Sequence, residues 1–109
     1  MKQLALKIKA VVAEVGKEPE VREILDSLES MQAIVGGYIE CIMMPGNIDI
    51  YVNEEGTLMD LPFNRFVAGR PLVGNIFAVS HDKSGNCISL NQKQIDSLMK
   101  MFSFNESVR

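Results

Sequence analysis

Residues 38–53, YIECIMMPGNIDIYVN, constrain the fold of this chain more than any other stretch. Ile39, Cys41 and Met43 alternate with Tyr38, Glu40, Ile42 and Met44, and Ile48, Ile50 and Val52 fall on one side of the run that follows. Alternation of this kind is the period of an extended strand. Between the runs, Pro45 has no N–H to give to a ladder, while Gly46 and Asn47 tolerate positive φ, as a tight connection requires. The spacing predicts a β-hairpin over 38–53.

The same period recurs upstream. Leu4, Leu6, Ile8, Ala10 and Val12 alternate with Ala5, Lys7, Lys9 and Val11, which predicts an opening strand. Gly16 and Pro19 in GKEPE mark a turn, and VREIL reads as a short extended segment or a helical turn. Asp26 or Ser27 then caps a short helix with Leu28, Met31 and Ile34 or Val35 on one face. Gly36 ends it, and the pair Gly36 and Gly37 lets the chain pass straight into the hairpin. Beyond Gly56, Pro62, Gly69, Pro71 and Gly74 break the pattern into a short strand at 57–60, an irregular crossing and a helical turn at 63–68. VGNIFAVSHD resumes strand character, KSGN turns the chain into CISL, and Asn91 caps a last helix with Ile95, Leu98, Met99 and Phe102 at helical spacing.

This order predicts an α+β fold: a mainly antiparallel sheet of about five to six strands, one short internal helix and a C-terminal helix, with the helices packed to one face or end. A chain of 109 residues suits a single domain over 1–109, with the last few residues fraying. The 47% hydrophobic and 23% charged composition is that of a soluble globular domain, and Lys7 and Lys9 interrupt what would otherwise resemble a leader, so a cytoplasmic protein without a membrane span is expected.

Eleven basic against fourteen acidic residues leave no cationic stripe for duplex nucleic acid, and a net charge of −3 is too small to imitate a duplex. Cys41, Cys87 and His81 fall one short of a structural zinc set, and Asn53 to Gly56 with Asp49 or Asp60 lack the graded oxygen spacing of a calcium loop. No metal or cofactor is expected, and the cysteines are expected to be reduced and largely structural.

VGGYIE (35–40), VNEEG (52–56), LPFNR (61–65) and VGNIF (73–77), in that order and spacing, resemble a family of small proteins of unknown function found in phages, plasmids and other mobile elements. The resemblance covers about residues 28–80. It implies a mobile-element origin and a small α+β domain, and it brings no established chemistry.

The candidate ligand-binding residues come from the segments between strands. Asn53 carries both a donor and an acceptor, Glu54 supplies a carboxylate, and Asn64 with Arg65 follows an apolar pair in a non-periodic stretch. Arg65 and Arg70 offer planar forks suited to phosphate, and Tyr51 and Tyr38 offer rings that stack on a base; Phe63 and Phe66 read as core. The competing role for Arg65 is an ion pair with Glu54 or Glu55. Adjacent strand residues point to opposite faces, so Asp82 is poorly placed to orient His81, and no catalytic residue is assigned.

These features lead to a noncatalytic, oligomeric anti-defence protein that sequesters a nucleotide-derived host immune signal, with Arg65→Ala expected to weaken binding without unfolding. Ile42 and Met44 give the Tyr38 and Glu40 face an apolar content that a second copy is expected to cover. The alternatives are an inhibitor that docks on a host defence or restriction protein, for which the seven methionines give an adaptable surface, and a small hydrolase using His81 and the acidic loop.

Overall fold

The alternating segments fold as strands in the computed structural model, which describes residues 6–104. Leu4 and Ala5 of the expected opening strand, and the last few residues expected to fray, lie outside the described residues. In chain order the elements are β1 (Lys7–Ala13), β2 (Glu20–Leu25), α1 (Leu28–Val35), β3 (Ile39–Met44) and β4 (Ile48–Asn53). They continue with β5 (Phe63–Val67), β6 (Arg70–Val73), β7 (Ile76–His81), β8 (Cys87–Ile88) and α2 (Gln92–Met101). Among the described residues the main sheet has six strands in the order β2, β1, β7, β4, β3, with β8 also on β7, while β5 and β6 form a separate ribbon. Every pairing is antiparallel.

The hairpin forms as its sequence dictates. Met44 pairs with Ile48 and Ile42 with Ile50, and the turn places Gly46 and Asn47 at φ 84° and 62°. Ser27 caps α1 by accepting from the Ser30 N–H at 3.2 Å, and Gly36 ends it at φ 81° with its N–H on the Gln32 carbonyl. Gly37 has a different reason to be glycine: a Cβ there would lie 2.9 Å from Asn53 Nδ2. A capping box between Asn91 and Gln94 starts α2.

Each face of the sheet carries its own core. Val11, Ala13, Ile48, Ile50, Ile76 and Ala78 on one face meet Ile95 and Leu98 of α2, Phe102 at its C-terminal cap, and Val67 and Leu72 of the ribbon. On the other, Ile8, Ala10, Val12, Phe77 and Val79 meet Met31 and Val35 of α1. The helices therefore lie on opposite faces and not to one face or end, because β7 is apolar on both sides and each side has to be covered.

Four further expectations are corrected. Residues 57–60 form turns, closed by Met59 N–H on Glu55 O and Asp60 N–H on Thr57 O, in place of a strand. Residues 63–67 are the strand β5 and not a helical turn, and Phe63 and Phe66 are exposed and in ring contact with each other (centroids 5.2 Å) instead of joining the core. Ile42 and Met44 are half-buried against the first core beside Val67 and Leu72, so this chain's own ribbon takes part of the cover expected of a second copy.

Candidate functional site

α1 covers only part of its face of the sheet. Where it stops, β3, β4 and β7 present Cys41 and Met43, Asp49 and Tyr51, and His81 to a cleft of about 510 Å³, closed at its end by Asn47 and by Asp82, Lys83 and Gly85 of the following turn. The period of β4 explains the composition of this surface. Ile48, Ile50 and Val52 point to the α2 core, so Asp49 and Tyr51 must point the other way.

Asp49 is 6% exposed, and its Oδ2 lies 2.9 Å from His81 Nδ1 on the strand beside it. Its Oδ1 is buried and has no hydrogen-bond partner. Tyr51 stacks on Phe77 with centroids 5.2 Å apart and planes 19° from parallel, and its hydroxyl lies 3.8 Å from Cys87 Sγ. Burial, and then the Cys87 contact, push the Tyr51 phenol above its usual range. Burial also raises both thiols, with the Asp49 charge next for Cys41. Asp82 accepts from the Ser84 and Asn86 N–H groups at 2.9 Å each and from Asn86 Nδ2, and these bonds hold its carboxyl below the usual carboxylate range. Asp82 thus shapes the turn while Asp49, from another strand, orients His81.

The residues singled out in the sequence separate into three groups. Arg65 is fully buried: Nε donates to Asn64 Oδ1 at 2.6 Å, and its terminal nitrogens donate to the carbonyls of Glu14 (3.0 Å), Lys17 and Phe102. Its guanidinium also sits 4.4 Å from the Phe104 ring centroid. Asn64 is buried with it, donating to Ala13 O at 2.9 Å and Gly74 O at 2.7 Å. Asn64 has both amide donors engaged and Arg65 is fully buried with four of its five engaged, and the guanidinium is clamped by carbonyls instead of Glu54 or Glu55, so both residues are corrected from binding to scaffold.

Asn53 is likewise buried. It donates to Val35 O at 3.1 Å and accepts from the Glu55 N–H at 2.8 Å, tying the end of α1 to the acidic turn. Asn53, Glu54 and Arg70 do meet, with Glu40, at a small groove of about 120 Å³ on the other face of the hairpin. Tyr38 is 64% exposed and Tyr51 alone of the seven lines the large cleft.

Asp49 was visible in the sequence as a carboxylate interrupting an apolar strand, opposite Ile48 and Ile50 in period. Among the described residues there is no group of three or more His, Cys, Asp or Glu side chains that could hold a metal ion, and no helix is long and apolar enough to cross a membrane.

A family model described as a domain of unknown function (DUF3846) matches residues 8–103, in keeping with the unknown-function resemblance of the four motifs. Neither a curated protein nor a solved structure matches the chain.

Proposed function

The chain belongs to the family described as a domain of unknown function (DUF3846), and within it we propose a noncatalytic binding protein of phage or mobile-element origin. It captures a nucleotide-derived host immune signal, of the cyclic nucleotide or cyclic ADP-ribose type, in the host cytoplasm and so disarms a defence system. The observation that carries this reading is the cleft over β3, β4 and β7, which combines a ring, a buried carboxylate with its histidine, and the exposed cation Lys83. Its volume is in the range of small-molecule sites, roughly 300–1,000 Å³.

The chemistry of the neighbouring groups supports binding without catalysis. A nucleophilic cysteine needs a lowered thiol pKa, whereas burial raises that of Cys87, the cross-strand partner of His81, and that of Cys41. Asp82 is engaged by its own turn. A homo-oligomer joined along the outer edge of β3 would bring a second copy beside Cys41 and Met43, where the cleft is open.

Titration calorimetry with cyclic mononucleotides, cyclic dinucleotides and cyclic ADP-ribose variants tests the reading. At least one nucleotide is expected to bind and to be recovered chemically intact. Lys83→Ala, a change in an exposed turn, is expected to weaken that binding about tenfold through loss of a phosphate contact while leaving the melting temperature unchanged. Lack of affinity for the whole panel, or steady turnover of a bound nucleotide, would overturn it. The second reading, an inhibitor of a host defence protein, draws on Tyr38, Leu58 and Met59, exposed around the Asn53 turn. It predicts co-purification of a stoichiometric host protein with no small molecule.

A further inference from the structure

The carboxylate of Asp49 is satisfied on one side only. Oδ2 takes its hydrogen bond with His81 Nδ1 at 2.9 Å, while Oδ1 is buried without a partner. Leaving such an acceptor unmatched away from water costs on the order of 1–3 kcal/mol, and an unmatched buried group is where a missing partner is to be sought. The candidates within the chain fall short. No ion pair joins Lys83 to Asp49, and Cys41, whose thiol is raised by burial and then by the Asp49 charge and a hydrogen bond to that carboxylate, offers only a weak S–H donor that leaves Oδ1 unmatched. A metal ion lacks its ligands, since no cluster of three or more suitable side chains exists among the described residues.

We infer that the cleft takes a guanine nucleotide, whose N1–H and exocyclic amine edge donates to Asp49 Oδ1. This rests on the binding reading above and narrows it to one base. A carboxylate is an acceptor only, and the guanine edge presents adjacent N–H donors there. The adenine edge sets the N1 lone pair beside its amine, and that lone pair would face the carboxylate.

The neighbours fit the same ligand. Tyr51 lines the cleft two residues from Asp49 on the same face of β4, offering its ring beside the base, and Lys83 is exposed in the turn that closes the end of the cleft, for the phosphate. Met43, the cross-strand partner of Asp49, is 77% exposed and unbranched, and it lines the same cleft, where it can adapt to a bound base.

The test uses 3′,5′-cyclic GMP and 3′,5′-cyclic AMP by calorimetry on the wild type and on Asp49→Asn. The asparagine keeps the shape, and with its oxygen toward His81 it turns a donor toward the ligand. Wild type is expected to prefer cyclic GMP by about tenfold or more, and Asp49→Asn to abolish that preference while remaining folded by circular dichroism. Should the variant fail to fold, the wild-type preference alone decides. Equal or tighter binding of cyclic AMP by the wild type, or an undiminished preference in Asp49→Asn, would overturn the guanine assignment and leave the binding reading intact. Failure of both nucleotides, together with the rest of the panel, would remove the binding reading and this inference with it.

Discussion

Arg65→Ala is expected to cost about 3–5 kcal/mol of folding stability, the scale for removing one partner of a buried charged network. The guanidinium is fully buried and gathers the carbonyls of Glu14 and Lys17 from the turn after β1, that of Phe102 at the end of α2, and the Asn64 side chain. Removing it takes one donor from each of these acceptors and opens a void where the largest fully buried side chain among the described residues stood. Against a total of about 5–15 kcal/mol for a domain of this kind, the variant is marginal. In urea its midpoint should fall by on the order of 2 M. Arg70→Ala, at an exposed position, should stay within about 0.5 kcal/mol of wild type. A normal urea midpoint for Arg65→Ala would return Arg65 to the list of ligand contacts.

Phe77→Ala is expected to cost a similar amount, about 3–5 kcal/mol. Phe77 is fully buried in the core under α1, and its ring stacks with Tyr51 and so supports the cleft. Phe77→Leu keeps most of the volume and should cost less, about 1.5 kcal/mol. Because leucine cannot stack with Tyr51, the folded leucine variant should still lose nucleotide affinity. Equal affinity in Phe77→Leu would mean that the position of the Tyr51 ring does not matter to binding.

What could be read from the sequence is what depends on neighbours along the chain. The hairpin over 38–53 follows from its alternation and from Gly46 and Asn47, and both helices follow from their caps, Ser27 with Gly36 and Asn91 with Gln94. The ribbon was harder to see. Pro62, Gly69 and Pro71 punctuate β5 and β6 so heavily that residues 63–73 look irregular, yet proline is tolerated on the edge of a two-stranded ribbon.

Arg65 illustrates the other limit. A polar residue in a non-periodic stretch suggests an open loop, whereas the acceptors that bury it come from positions 14, 17 and 102. Asp49 and His81 are separated by 32 residues, and nothing local shows that antiparallel pairing of β4 with β7 makes them neighbours. Tyr51 lies opposite Ile50 and Val52 in period, and the structure sets it half-buried against Phe77 on the face that holds the cleft.

Chemical-shift mapping by heteronuclear NMR, with 3′,5′-cyclic GMP titrated into the labelled protein, tests the central claim most directly. The account predicts saturable shifts concentrated at Asp49, Tyr51, His81 and Lys83, the walls of the cleft. Shifts confined to Glu40, Glu54 and Arg70 on the other face of the hairpin, or no saturable shifts at all, would contradict it.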